Sequence, residues 1–547
     1  MKAIFFIFCF IFSAADASPL RFHRGINLSC WFQTESAQQI QINKYTEKDL
    51  QNIKKLGCDV IRLPINLHSM TGNPPLYRLD PLFINFLDQV VNMTEKLKIH
   101  LILDNHSFNP AVNTNPDIDK ILIPVWSQLA RHYKDRSSFL YYEILNEPHG
   151  IADKRWYDIQ QDVIQAIRAI DTKHMIIVGP AQWNSYAELA EMPLYAETNL
   201  IYTFHFYEPF VFTHQGAGWI DPSMASLAHV PFPYNEDAMP VCPPELRNTW
   251  IDTRLQQYHR NGTVEKIKKK IDIAAAFKNK HQVPLFCGEL GVYKPNSNPR
   301  DRIHWYKTVR QYLEKKGIAW TSWDYQHEFG LFERNSDEMF AYDLNIPLVR
   351  ALGFNIPPQH KYIRTPETTG FALYKDRLEK NIVSSTWIEK GIVNYYCQDN
   401  PYGGRFCIHW TGVNQYNHIS FTFKPVKDLS LLVKKKYMLA FWVKGDTPQT
   451  KFDMRFVDTK TSEPGDHPWR MRVTIDDTYA TWDGKWHHVK IPLKNFHEHG
   501  SWDNEKWYKA CGSFDWTAVK HFKIDAAYYD LTNIQYWFDN IRIIKKN

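Results

Sequence analysis

The sequence predicts an α/β protein: a (β/α)8 TIM barrel followed by an all-β, jelly-roll-like sandwich. Three observations carry this. Eight short runs rich in Ile, Val, Leu and aromatics recur through the first 325 residues, with helix-like stretches between most of them. The pattern stops after Tyr342. Beyond it come runs that alternate with a period of two, separated by turn residues. Strands alternating with helices imply parallel βαβ units, and eight of them close a barrel. Short alternating runs joined by turns imply an antiparallel sandwich.

The elements follow in order. Residues 1–17 show Lys2, an apolar run from Ile4 to Phe12 and the small-x-small site Ala15-Asp16-Ala17. That is a signal peptide whose apolar stretch is too short to cross a bilayer, so Ser18 is expected to begin a secreted chain. The predicted barrel strands are Phe22–Leu28, Val60–Ile65, His100–Asp104, Phe139–Leu145, Met175–Val178, Asn199–Phe206, Val283–Gly288 and Ile318–Trp323. They read as continuously apolar, as strands covered on both faces should. Leu82–Leu97 sets Leu82, Phe83, Phe86, Leu87, Val90 and Val91 on one helical face, and Trp156–Ile170 and Val264–Phe277 have the same period. Residues 208–262 hold seven prolines and little periodicity, the mark of a long ordered loop that walls or covers a site. The barrel is placed at residues 18–345 and a Pro-rich linker at 346–365. The sandwich follows at 366–547, on alternating runs at Ile419–Phe423, Tyr437–Val443, Lys451–Phe456, Met471–Ile475, Trp486–Ile491 and Tyr536–Ile543.

Composition narrows the function. Of 547 residues, 44% are hydrophobic and 23% charged, which excludes a disordered or fibrous chain. A net charge of +6 with no basic tract along a face argues against nucleic acid as a partner. No later apolar stretch approaches a membrane span, and no apolar-patch signal calls for an oligomer, so a monomer is expected. Aromatics reach 15%, a surplus that suits stacking on flat ligands such as sugar rings. Of the eight Cys, Cys9 leaves with the signal. The rest form no CxxC and no Cys/His cluster, so no metal site is expected from them. Cys397 and Cys407 are either a disulfide or two buried thiols. Sequons begin at Asn27, Asn92, Asn105 and Asn261.

In a barrel, strand ends deliver side chains to one mouth. Those ends carry Arg62, His106, Asn146 with Glu147, His205 with Tyr207, Glu289, and Trp323. Glu147 and Glu289 end the fourth and seventh strands. Two carboxylates flanking a bond are what glycoside hydrolysis needs. Glu289 must be ionised to attack, and Arg62 and Tyr207 are the available donors. Glu147 must start protonated, which burial beside another carboxylate would arrange. Asn146 is placed to donate to a sugar 2-hydroxyl, and His106 and His205 to orient hydroxyls and carboxylates. Trp323 is placed as a platform under the reacting sugar. Trp31, Phe32, Phe108, Trp183, Trp219 and Tyr325 are candidates for outer sugar contacts, Trp31 and Trp183 foremost.

These residues resemble glycoside hydrolase family 5. The matching stretches are Arg24-Gly25-Ile26-Asn27, Ile61-Arg62-Leu63-Pro64, His106, Leu145-Asn146-Glu147-Pro148, His205-Phe206-Tyr207, Gly288-Glu289 and Trp320-Thr321-Ser322-Trp323. The resemblance implies double displacement with retention, Glu147 as acid/base and Glu289 as nucleophile, their carboxyls roughly 5 Å apart. It implies no cofactor and a β-glucan substrate, with endo-β-1,4-glucanase ahead of β-mannanase, xyloglucanase or exo-β-glucanase. A non-catalytic glycan-binding protein and a metal-dependent hydrolase rank lower, because the carboxylate pair is intact and the first strand offers no His ligands. The C-terminal part is similar to carbohydrate-binding modules, most closely family 11, on Phe371-Ala372-Leu373-Tyr374 and Trp537-Phe538-Asp539-Asn540-Ile541. Trp469-Arg470 is its candidate sugar-stacking pair. Such sandwiches often hold a structural calcium, for which Asp539 is the candidate ligand.

Overall fold

A computed structural model describes residues 20–107, 109 and 111–546. The signal peptide, Cys9 and Phe108 lie outside the described residues. By contact density the chain divides into two units. One comprises the chain up to Asn27, Cys58–Arg62 and Lys98–Trp323; the other comprises Leu28–Gly57, Leu63–Leu97 and Asp324–Asn547.

Eight parallel strands form a closed barrel in sequence order. They are β1 (Arg24–Asn27), β2 (Val60–Ile65), β3 (His100–Asn105), β4 (Leu140–Glu143), β5 (Met175–Val178), β6 (Leu200–Phe206), β7 (Leu285–Leu290) and β8 (Ala319–Ser322). All eight expected runs are present. Closure is explicit in the register, since Gly25 of β1 faces both Val60 of β2 and Thr321 of β8. Every residue of β2, β3, β6 and β7 is buried, as continuous apolar runs require.

The barrel interior changes character along its strands. Val60, Ile102, Tyr141, Ile177, Ile201, Phe286 and Ala319 belong to one buried cluster, with Phe22 beside them. Side chains two residues apart on a strand share a face. The next positions on the same side as Val60, Ile102 and Tyr141 are therefore Arg62, Asp104 and Glu143. An apolar plug thus sits below a charged layer, and that layer is the floor of the candidate site.

Helix Pro81–Leu97 buries Phe83, Phe86, Leu87, Val90 and Val91, five of the six expected positions; Leu82 stays partly exposed. Helices Asp153–Arg168 and Val264–His281 cover the other two periodic stretches. The loop after β6 holds short helices at Trp250–Gln256 and Tyr258–Asn261, so its sequence is more periodic than its prolines suggest. Hydrogen bonds anchor it: Tyr258 Oη donates to the Pro231 carbonyl at 2.7 Å, and the Phe232 amide donates to Asp301 of helix Pro299–Lys315 at 3.1 Å. Phe212, Met224, Phe232 and Leu246 of this loop are fully buried.

The second unit contains two antiparallel sheets. In chain order the strands are β9 (Ala372–Tyr374), β10 (Ile382–Ser384), β11 (Ile392–Cys397), β12 (Cys407–Thr411), β13 (His418–Lys427), β14 (Met438–Gly445) and β15 (Phe452–Asp458). Then come β16 (Arg470–Ile475), β17 (His487–Pro492), β18 (His497–Asp503), β19 (Lys506–Tyr508), β20 (Val519–Asp525) and β21 (Gln535–Ile544). One sheet runs β10-β13-β20-β15-β16-β18-β19 and the other β11-β12-β21-β14-β17, with β9 paired to β21. The six alternating runs expected from sequence are β13 to β17 and β21.

Candidate active site

Asn27, Arg62, His106, Asn146, Glu147, His205, Tyr207, Glu289 and Trp323 all belong to the first unit. Arg62 is fully buried and forms the hub. Its Nε and Nη2 donate to the two oxygens of Glu143 at 2.7 and 2.9 Å. Nη1 donates to Glu289 Oε1 at 2.7 Å and to Asn27 Oδ1 at 3.0 Å, and Nη2 donates to Asn146 Oδ1 at 2.8 Å. Asp104 Oδ2 lies 3.0 Å away. Three carboxyl groups thus share one guanidinium. Burial raises the pKa of Glu143 and lifts Asp104 to about 7, so this layer resists carrying its full negative charge.

Glu289 is held at both oxygens. Arg62 donates to Oε1, and Tyr207 Oη donates to Oε2 at 2.7 Å. Burial and the adjacent carboxylates push the Tyr207 phenol well above its ordinary range, so it remains a donor. Gly288, just before, is where the β6–β7 register shifts: Phe204 faces Cys287, but His205 faces Glu289. A side chain at Gly288 would meet His205 Nε2 and Thr203 Oγ1 at 3.1 Å. This β-bulge brings His205 level with Glu289.

Glu147 follows β4 in a left-handed backbone conformation, φ 46°. Its Oε1 lies 2.7 Å from His205 Nδ1, which is 3.6 Å from Glu289 Oε2. The ligand atoms of Glu147, His205 and Glu289 lie within 4.8 Å of one another. Burial lifts Glu147 to about 7, against the pull of His106 and Arg62. Burial also lowers His205 to about 4, so the ring is neutral and its Nδ1–H donates to Glu147. His106 is lowered to about 4 for the same reason, holds Asp104 at 2.6 Å and stacks on Trp323 at 5.4 Å and 17°. Because Asn146 Oδ1 accepts from Arg62, its Nδ2 is turned away from the guanidinium and can donate to a ligand hydroxyl.

The outer aromatics divide. Trp183 is 40% exposed and stacks on His149 at 3.7 Å, while His149 Nδ1 lies 3.0 Å from the Glu147 carbonyl. Trp219 is also exposed, edge-on to Tyr293. Trp31 is not brought to a surface: it is 1% exposed, packs on Phe32 and Tyr45, and donates to the Gln41 carbonyl. Phe32 and Tyr325 are buried too. Their sequence neighbours end strands, but their rings are needed as core.

Sequence reasoning passed over Asp104, Glu143 and His149. A signal existed for the first two: a carboxylate in an otherwise apolar buried strand rarely stands there without a partner. In the sandwich, Trp469 is buried and donates to Asp466, so it cannot stack on a sugar; Arg470 is half-buried. Asp539 spends its carboxylate on backbone amides, Gly403 at 3.0 Å and Asn540 at 2.6 Å, which suits an anchored turn better than a calcium ligand. Asn27 is fully buried and donates to the Gly288 and Ser322 carbonyls, so that sequon is structural.

Residues 23–328 match the family model of cellulase, glycosyl hydrolase family 5. Residues 388–545 match carbohydrate binding domain 30, which corrects the family 11 assignment suggested by motif ends alone. The chain is 28% identical over 335 residues to endoglucanase 3 of Fibrobacter succinogenes, covering 57% of this chain and 50% of that one. It therefore spans about half the length of that relative. It is 27% identical over 319 residues to endoglucanase C of Acetivibrio thermocellus, covering 56% and 91%. Among solved structures, a hyperthermophilic endo-β-1,4-glucanase in complex with substrate matches with a TM-score of 0.51 and 26% identity, over 61% of this chain and 96% of that chain. The endoglucanase of Thermotoga maritima matches with 0.51 and 25%, over 60% and 96%.

Proposed function

The chain belongs to glycosyl hydrolase family 5, and from that membership we propose that it is a secreted, monomeric, retaining endo-β-1,4-glucanase acting on cellulose and mixed-linkage β-glucan. The observation that carries the reading is the spacing of Glu147 and Glu289, whose carboxylate oxygens come within 4.8 Å. Retaining enzymes hold their carboxyls about 5–5.5 Å apart, whereas inverting ones leave room for a water between. Glu289, gripped by Arg62 and Tyr207, is the nucleophile that attacks the anomeric carbon. Glu147, with its pKa lifted to about 7, gives its proton to the departing glycosidic oxygen. Esterification then removes the charge on Glu289, Glu147 becomes more acidic, and it takes a proton from the water that releases the sugar.

Asn146 Nδ2 donates to the 2-hydroxyl, Trp323 forms the floor under the reacting ring, and Trp183 extends the platform outward. The hydrolase is read as residues 18–345, the linker as 346–365 and a glycan-binding sandwich as 366–547, each family match falling inside its segment. Secretion is supported by the leader-like first 17 residues. Among the described residues no helix is long and apolar enough to cross a membrane. The mechanism uses no cofactor, so excess chelator should leave the rate unchanged.

The test is product release from carboxymethyl-cellulose, barley mixed-linkage glucan, xyloglucan, glucomannan and laminarin, wild type beside Glu289→Gln. Activity on the first two that vanishes in the variant supports the proposal. Activity on glucomannan or xyloglucan alone keeps the chemistry and rejects the substrate. Silence on all five rejects the enzyme.

A further inference from the structure

The seven-stranded sheet presents one apolar face, with Phe421, Phe522, Ile524, Met454 and Phe456 fully buried. By alternation the other face carries polar residues, and the register arranges them in rows. One row crosses Thr474, Asp453, Asp525 and His418; the next crosses Arg472, Arg455, Lys523 and Ser420. Arg470 follows beside Val457. This face is not an ordinary solvated surface. Asp453, Arg455, Asp525 and Ser420 are all buried, so much of the charge on this face is withdrawn from water.

The charges on this face do not balance. Asp453 accepts from Arg455 at 2.8 Å and Arg472 at 3.3 Å, and from Thr474 and Tyr528 hydroxyls. Asp525 accepts from Arg455 at 3.1 Å. Two carboxylates are thereby matched with two guanidiniums. Arg470 and Lys523 remain, both half-buried, and among the described residues neither has a carboxylate within ion-pair distance. Lys523 Nζ meets only the His418 ring at 3.2 Å, and Arg470 reaches the Trp502 carbonyl at 3.5 Å. The nearby acids are already engaged: Asp503 by Lys460 and His467, Glu498 by the backbone amides of Cys511, Gly512 and Phe514. The histidines do not alter the sum. Burial, then neighbouring cations, pushes His499 down to about 4 and His521 to about 3, so they stay neutral.

Desolvating a cation without a counter-charge is costly, and a fold tolerates it where a ligand supplies the anion. Exposed aromatics mark both ends of this face. Trp507 lies under Arg470 at 5.8 Å, and Trp387 lies beside His418. From β18 to β13 is four strand spacings, about 19 Å, enough for several sugar units. Resting on the reading of the sandwich as a glycan-binding module, we propose that this face selects carboxylate-bearing glycans, chains with uronic acid units, through Arg470 and Lys523. Arg470 offers a planar fork that fits a carboxylate, Lys523 a point charge, and the flanking indoles stack on sugar faces.

The test is affinity electrophoresis and calorimetry of the full chain, with Glu289→Gln as background to prevent cleavage. The probes share one β-1,4 backbone: cellulose oxidised to carboxylate at C6, its methyl ester, and hydroxyethyl-cellulose. Polyglutamate serves as a sugar-free polyanion. The oxidised glycan should bind most tightly. Arg470→Gln and Lys523→Gln should each weaken it about tenfold while leaving the ester unaffected, since each loses a charge-assisted bond. Lys490→Gln, on the exposed face of the other sheet, should change nothing. Equal binding of oxidised and esterified chains overturns the inference and leaves a neutral-glycan module. Equal binding of polyglutamate overturns it as plain electrostatics. Binding of none of the glycans rejects the glycan-binding reading itself.

Discussion

His205 Nδ1 lies 2.7 Å from Glu147 Oε1, so a neutral imidazole donates to the carboxyl proposed as the acid. One oxygen of Glu147 is thereby occupied and the other is left to carry the transferable proton. Burial lifts this carboxyl from 4.5 to about 7, so it is mostly protonated below neutral pH and loses that proton above. Hence kcat/KM should hold up to about pH 7 and fall at higher pH. Glu147→Gln should lose about 10²–10⁴-fold on polysaccharide and lose the alkaline limb as well. On an aryl glycoside whose leaving group needs no proton, the first step should survive. A pH–rate profile of both proteins on both substrates decides it; an alkaline limb that persists in the variant assigns the titration elsewhere.

Arg62 and Glu143 make a second prediction. Arg62 is the cation for three buried carboxyl groups, whereas Glu143 is one of its several acceptors. Arg62→Met leaves those acids buried without a counter-charge and should cost about 3–5 kcal/mol of stability. Glu143→Gln keeps shape and one acceptor, and should cost about 1–3 kcal/mol. Denaturant unfolding followed by tryptophan fluorescence measures both. Equal losses would mean that Glu143, not Arg62, organises the layer. In either variant Glu289 loses its alignment, so kcat should fall even where folding is intact.

The barrel was legible because parallel strands are buried on both faces and therefore stand out as uninterrupted apolar runs. The convergence of Glu147 and Glu289 was legible because strand ends meet whatever lies between them. What sequence hid was which aromatics stay outside. Trp31 and Trp183 both follow strand ends, yet Trp31 is walled in by Phe32 and Tyr45 while Trp183 is held on the surface by His149. That choice depends on neighbours distant in sequence. Likewise the strands with weak alternation, such as β10, β12 and β19, owe their place to pairing with stronger ones. The charged layer of Asp104 and Glu143 was readable in principle, since a carboxylate two residues beyond an apolar plug position must face the same interior.

Trp183 supplies a third prediction. Its ring is 40% exposed, stacked on His149, in a run of three left-handed residues from Gln182 to Asn184. Three successive non-glycine residues in that region are costly and persist only where the surroundings fix them. Trp183→Ala should raise KM for long chains several-fold and shift the product lengths, with kcat on an aryl glycoside unchanged. Product analysis by chromatography reads this directly. A uniform fall in kcat on every substrate would instead mean that the turn supports Glu147 through His149.

Cys397 and Cys407 face each other in register across β11 and β12, and Cys407 Sγ lies 3.6 Å from the Cys397 carbonyl. Both thiols are free, buried and packed with Trp537. A hydrogen bond from the Cys407 thiol lowers the Cys397 pKa, which favours the thiolate that disulfide exchange requires. In an oxidising medium, with glutathione disulfide as acceptor of the two electrons, the pair should close to a disulfide and lose two hydrogens. Closing so short a loop should stabilise the sandwich by about 2–3 kcal/mol. Intact mass before and after reduction detects the bond. Denaturant midpoints with and without reductant measure its worth, and Cys397→Ala should abolish the difference. Alkylation of both thiols in unreduced, denatured protein recovered from oxidising medium would show that Trp537 and the strand pair shield them from exchange.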